Sequence, residues 1–309
     1  MNAVLGGFVT LVAVIVVGWA FGRAGVLGGE AATVLSRLSF YVATPALLML
    51  TLADADPAVL FSAGLLGTAG SAVLCALLFA GLARWRWRLG PAELTTGALA
   101  SSYVNAGNLG VPIAVYVLGD ASYVAPVLLF QVLVMAPVGL AVLAGSPGRG
   151  AAVPSRWGLL SQPLRTPVVI GCAIGLLLAA AGWQLPALVR QPVELIADVA
   201  VPAALLAYGV SLHGAPRPAS GEGARQVWLA VVLKTLVQPG LAYALGRWGA
   251  GLDGVALLAV TVTSALPTAQ NVFVYATSYG RRTEVVRDVV LLSTVLSVPA
   301  LAGIALLMG

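Results

Sequence analysis

About ten stretches of this chain, each near 20 residues long, run almost without interruption from one apolar residue to the next. A helix needs roughly 20 such residues to cross the hydrocarbon of a bilayer. The stretches fall near residues 3–22, 33–52, 58–83, 94–118, 121–143, 166–184, 194–212, 225–247, 254–278 and 285–307. Lipid offers backbone groups no hydrogen-bond partner, so only helices and closed barrels span it. Barrel strands would be about 10 residues of alternating polarity, whereas these runs are continuous and rich in Leu, Ala, Val and Gly. The expected class is an all-α integral membrane protein. With 60% hydrophobic and 9% charged residues and a mean hydropathy of +1.00, the chain also lies outside the range of ordinary soluble domains. No Lys or Arg precedes the first run, which therefore lacks the basic start of a signal peptide and is expected to be retained as a span. Cys75 and Cys172 stand far apart inside apolar runs, as small buried thiols do, and suggest neither a disulfide framework nor a metal site.

The net charge of +5 matters less than its distribution. Thirteen of the 16 basic residues fall in the odd-numbered connections: Arg23, Arg37, Arg84, Arg86, Arg88, Arg149, Arg156, Arg165, Arg217, Arg225, Arg281, Arg282 and Arg287. The other side holds Arg190 and Arg247 with Asp54, Asp56, Asp120 and Asp253, and Lys234 lies within a span. The positive-inside rule then puts both termini outside and the basic loops in the cytoplasm. A miscounted span would scramble this asymmetry. "RWRWR", Arg84–Arg88, reads as an interface anchor rather than a lipid or nucleic-acid site.

The two halves resemble each other weakly but in order. "ATPALL" at Ala43–Leu48 is answered by "AVPAAL" at Ala200–Leu205, an offset of 157. Tyr116 pairs with Tyr275 at 159, Pro137 with Pro299 at 162, and Arg84-Trp85 with Arg247-Trp248 at 163. Each half would hold five spans, and five being odd, the second copy enters from the opposite side, an organisation common in secondary transporters. The predicted division is a first five-helix repeat over 1–143, a polar cytoplasmic linker over 144–165 and an inverted second repeat over 166–309.

Spans four and nine carry the residues that least suit a membrane helix. "NAGNLGVP" places Asn105, Gly107, Asn108, Gly110 and Pro112 in the first, and "SALPTAQN" places Pro267, Thr268, Gln270 and Asn271 in the second. Proline removes a donor and clashes with a preceding carbonyl, glycine lowers the cost of leaving helical geometry, and irregular backbone survives in a membrane only where buried or lining a cavity. Two half-helices meeting near the midplane would gather partly positive N-termini and amides around one point, which suits an anionic ligand. A pair of proline kinks with amides as interhelical glue is the plainer alternative.

These segments, with "YVLG" after the first and "VFVYATSYG" completing the second, together with "FQVLV" of span five, resemble the auxin efflux carrier family, which includes plant PIN carriers and bacterial malate and malonate permeases. The resemblance extends over essentially all ten spans. It implies a scaffold and homodimer interface from spans 1, 2, 6 and 7, and a mobile domain from spans 3–5 and 8–10 whose fourth and ninth helices cross. It also implies substrate contacts at Asn105, Gly110 and Pro112, and nominates Gln131 in span five as substrate-facing. Where the PIN pattern has a proline this chain has Asn271, with Pro267 earlier.

Among ionisable residues, Lys234 is the only lysine and sits mid-span, where a charge costs on the order of 2.5–3.5 kcal/mol on insertion scales. It could neutralise a substrate, pair with a carboxylate, change protonation, or snorkel. Glu194 and Asp198, one turn apart, could bind a coupling proton or Na⁺, or be a solvated helix end. A membrane enzyme is the rival class, but the chain has no GK[ST] phosphate loop, no HExxH and no DDxxD or GxGD pattern. A channel would need rings of polar groups. The expectation is a secondary transporter or facilitator of a small organic anion, a carboxylate or auxin-like acid, working by alternating access in the cytoplasmic membrane. It would use no cofactor beyond a coupling H⁺ or Na⁺, and its partners would be lipid and a second copy rather than nucleic acid. The alternative is a cation- or proton-coupled symporter of another solute, with the crossing as its ion site.

Overall fold

The computed structural model describes residues 2–54, 63–110, 113–114, 118, 121–146 and 167–308. Among them every regular element is helical. In chain order these are α1 (Asn2–Ala24), α2 (Ala31–Ala53), α3 (Ala63–Trp87), α4 (Pro91–Ser102), a π-helical turn over Ala106–Gly110, α5 (Pro126–Gly145), α6 (Pro167–Ala181), α7 (Ala187–Leu212), α8 (Ala224–Gly249), α9 (Gly254–Ser264), α10 (Gln270–Ser278) and α11 (Thr283–Met308). Among the described residues six helices, α2, α3, α5, α7, α8 and α11, are long and apolar enough to cross a membrane. Pro112, Tyr116 and residues 147–165 of the predicted linker lie outside the described residues.

Prolines set the local geometry of three long helices. Pro45, Pro137 and Pro239 each follow by two residues the end of a π-helical turn, over Ser39–Ala43 in α2, Gln131–Met135 in α5 and Leu233–Val237 in α8. A proline ring clashes with the carbonyl one turn back and removes its donor, and widening that turn keeps the helix continuous. Gln131 and Lys234 both sit on such widened turns.

Four helices form one packed group: α1 lies along α7, α6 along α2, and α2 against α7. Without a hydrophobic driving force between helices in lipid, close backbone approach supplies the attraction, and small residues permit it. A Cβ at Gly18 would stand 2.5 Å from the Leu206 carbonyl oxygen, and one at Gly175 would stand 2.4 Å from that of Met49. Both glycines end or begin a GxxxG pattern, Gly18–Gly22 and Gly171–Gly175. The remaining helices pack as a second group, with α3 on α4, α8 and α9, α5 on α4, and α11 on α8, α9 and α10. Cys75 and Cys172 are free, buried thiols within this packing.

Candidate functional site

Both interrupted segments leave helical geometry completely. α4 ends at Ser102, Tyr103 is extended, and the chain resumes in the π turn at Ala106. α9 ends at Ser264, and α10 starts at Gln270 with extended Ala269 as its N-cap. The two gaps lie antiparallel against each other and complete each other's hydrogen bonding. Val104 and Thr268 form an isolated β-bridge. The Asn105 N–H donates to the Pro267 carbonyl at 2.8 Å, and the Ala269 N–H to the Tyr103 carbonyl at 3.1 Å. Two side chains from neighbouring helices finish the junction. Gln131 Oε1 accepts from the Val104 N–H at 2.6 Å, and Ser293 Oγ accepts from the Thr268 N–H at 3.1 Å. Backbone that could not exist facing lipid is thereby satisfied inside the protein.

The ends of the half-helices are held by α8. Lys234 is fully buried and does not snorkel. Its Nζ donates to the Ser264 carbonyl at 2.9 Å and to Gln238 Oε1 at 2.8 Å. Gln238 Nε2 in turn donates to the Ser102 carbonyl at 3.0 Å. The last residues of α4 and α9 are therefore joined through two side chains one turn apart. A cation at a helix C-terminus meets its negative end.

Beside the junction lies a cavity of about 180 Å³. Its polar wall consists of Asn105, Gln131, Asn271, Thr51 and the backbone from Tyr103 to Gly107; Leu47, Leu48, Ala200 and Val201 form the apolar side. Asn105 Nδ2 donates to Gln270 Oε1 at 3.0 Å, which fixes both amides. A Cβ at Gly107 would meet nothing within 4 Å, so the cavity wall is open there. Among the described residues no Lys or Arg is part of the lining. α10 begins at the cavity edge, with the Val272 N–H donating to the N-cap Ala269 carbonyl at 3.1 Å, and a helix N-terminus carries a partly positive end.

The sequence-predicted residues separate accordingly. Asn105, Gln131 and Asn271 line the cavity. Pro267, Thr268 and Gln270 build the junction behind it, with Thr268 Oγ1 donating to the Ala100 carbonyl at 2.6 Å. Gly110 is buried, and a Cβ there would meet Val124 and Leu266 side chains at 3.0 and 3.1 Å. Asn108 belongs to the π turn, its side chain lying outside the described residues, as does Pro112. Lys234 joins helix ends instead of lining the cavity. Glu194 pairs with Arg190 at 2.7 Å, and Arg190 also binds Asp54 at 2.7 Å, whose carboxyl this hydrogen bonding holds below its usual range. Asp198 is exposed. Among the described residues no three His, Cys, Asp or Glu side chains come together in a way that could hold a metal ion. Sequence reasoning missed Gln238 and Ser293, and missed that the repeated "ATPALL" and "AVPAAL" motifs give the cavity Leu47 and Leu48, and Ala200 and Val201.

A multi-pass helical membrane protein with two interrupted segments around a small polar cavity has the construction of a solute carrier. The chain belongs to the membrane transport protein family, the auxin-efflux-like group its motifs resemble, whose family model matches residues 3–156 and 158–305. A protein of Rhizobium meliloti (strain 1021) named "Putative malonate transporter" is 29% identical over 283 residues, covering 89% of this chain and 87% of that protein.

Proposed function

We propose that this protein is a secondary transporter of a small organic anion, a compact dicarboxylate such as malonate, and that the cavity at the junction is its binding site. The observation that carries the reading is that the amides of Asn105, Gln131 and Asn271 and the N-terminus of α10 converge on a void beside satisfied, non-helical backbone. Amide donors and a helix N-terminus suit carboxylate oxygens without a fixed cation. At about 180 Å³ the cavity is below the roughly 300–1,000 Å³ of pockets that hold drug-sized ligands, which favours a solute of few heavy atoms over an indole-type auxin. The malonate transporter relative supports the same substrate class.

The architecture in this reading is ten spans in two inverted five-helix repeats. Support comes from paired contacts. Gly18 approaches Leu206 as Gly175 approaches Met49, both members differing by 157. Gln131 caps Val104 as Ser293 caps Thr268, the caps differing by 162 and the capped residues by 164. α1, α2, α6 and α7 then act as the scaffold and homodimer surface in the cytoplasmic membrane. The other helices carry the crossing between the two sides as a sliding, elevator-type body.

The test is thermal stabilisation of the purified protein by a panel of organic acids, with Asn105→Ala and Gln131→Ala beside it. Malonate or a close dicarboxylate should stabilise the wild type and leave both variants unshifted. An anion site at the junction is excluded if no acid shifts the wild type, or if the shift survives both substitutions.

A further inference from the structure

The polar cavity stops on one side of the junction. Its lining on α2 is Leu47, Leu48 and Thr51, and nothing from the Ala31–Ala43 half of that helix reaches it. On that half the same interface is filled by rings. Phe40, 1% exposed on the widened turn of α2, meets Tyr275 edge-on at 6.0 Å between centroids and Tyr279 at 5.8 Å. Tyr275 also meets Tyr103 at 6.5 Å, and Tyr103 lines the cavity. On α7, Tyr208 meets Phe273 at 5.4 Å. Phe40 and Tyr208 belong to the α1, α2, α6, α7 group, whereas Tyr103, Phe273, Tyr275 and Tyr279 belong to the interrupted segments. The rings therefore bridge the two packed groups, and Tyr103 links them to the cavity.

Edge-on ring pairs alone are ordinary core packing. A second observation separates this seam from a core. Ser36 Oγ on α2, and Thr277 Oγ1 and Ser278 Oγ in the last turn of α10, are buried with no hydrogen-bond partner. Buried hydroxyls nearly always find one, commonly the carbonyl one turn back. The Ala31–Leu38 part of α2 packs directly on α10, so Ser36, Thr277 and Ser278 lie on two helices packed against each other. Hydroxyls buried without a protein partner and suited to water point to a surface that opens to water in another state. In sequence Arg37 follows Ser36, and Arg281 and Arg282 follow α10, so the ends of both helices at this seam belong to the arginine-rich side of the charge distribution.

We propose that the α2–α10 seam is the second access path to the junction cavity, closed in this conformation by the Phe40, Tyr275 and Tyr279 rings. Parting the rings would connect Tyr103, and with it the cavity, to the arginine-rich side, with Ser36, Thr277 and Ser278 as the wetted wall. The inference rests on the transport reading. It adds the gate and the path to it.

Single cysteines in the full-length protein in oriented membrane vesicles test this, using a membrane-impermeant maleimide applied from each face. The parent, whose Cys75 and Cys172 are buried, is the background. Ser36→Cys and Ser278→Cys should be modified slowly from the arginine-rich face, and several-fold faster when Phe40→Ala or the milder Phe40→Leu is added. Thr51→Cys, on the cavity side, should be modified from the opposite face. The gate is overturned if Ser36→Cys and Ser278→Cys resist the reagent in all backgrounds, or react from the same face as Thr51→Cys. Malonate separates this outcome from the fate of the substrate reading. Labelling in the stated pattern that malonate leaves unchanged keeps the gate and removes the anion; malonate binding without labelling does the reverse.

Discussion

Lys234 illustrates how much the bonding of a single side chain adds to its reading from sequence. A lone lysine in a membrane span suggests a counter-charge for an anionic substrate, and its geometry gives it another task. Its ammonium satisfies the Ser264 carbonyl and Gln238 Oε1, neither of which faces the cavity. Lys234→Met would leave these two buried acceptors without a donor, at roughly 1–3 kcal/mol each. The expected result is a thermal midpoint in detergent lowered by several degrees, with malonate affinity of the folded fraction unchanged. A loss of affinity at an unchanged midpoint would return Lys234 to the substrate. Gln238 was beyond the sequence for a related reason. A glutamine one turn from a lysine in an apolar run can cap, bridge or line, and only the position of the α4 C-terminus, set by distant packing, selects among them. Asn105 was more legible because it shares eight residues with two glycines and a proline, a combination with no use in a continuous membrane helix.

Among the elements, what the sequence reveals are the places where a helix cannot continue or must come close to a neighbour. Pro267 and the GxxxG patterns are of that kind. The widened turns before Pro45, Pro137 and Pro239 are not, since a proline marks a missing donor but not how the ladder absorbs it. The glycine contacts give a direct test of the four-helix group. At Gly18 and Gly175 a Cβ would meet backbone carbonyl oxygens at 2.5 and 2.4 Å, which cannot move aside as a flexible side chain can. Gly18→Val and Gly175→Val should each destabilise by about 1–3 kcal/mol, the usual cost of overpacking. Gly81→Val, where nothing lies within 4 Å of the added atom, controls for the loss of glycine itself. Melting curves of the three variants in one detergent decide the matter. Equal behaviour of all three would mean that α1 and α6 are free to shift away from α7 and α2.

For the whole molecule, the arginine distribution and the helix pairing bear on the same question. α1 packs on α7 and α6 packs on α2, so each partnership joins the first half of the chain to the second, as exchange about an axis in the membrane plane would require. Five spans per repeat invert the second copy, and ten return the chain to the side where it began. Both termini should then lie on the arginine-poor, outer side, and the loop bearing Arg84, Arg86 and Arg88 in the cytoplasm. A periplasm-dependent phosphatase and a cytoplasm-dependent fluorescent protein, each fused after Gly309 or inserted after Arg88, report the side directly. The expected pattern is phosphatase activity without fluorescence at Gly309 and fluorescence without activity at Arg88. Fluorescence at both Gly309 and Arg88 would mean an even number of crossings after Arg88 instead of seven, and a second repeat that is not inverted. The two caps, Gln131 on Val104 and Ser293 on Thr268, would then be a coincidence of packing, and nothing would relate the ring-closed seam on one side of the junction to the open cavity on the other. With the inverted pattern, the proposed sliding of the junction past the scaffold would close one of these as it opened the other, which is what alternating access to a single site demands.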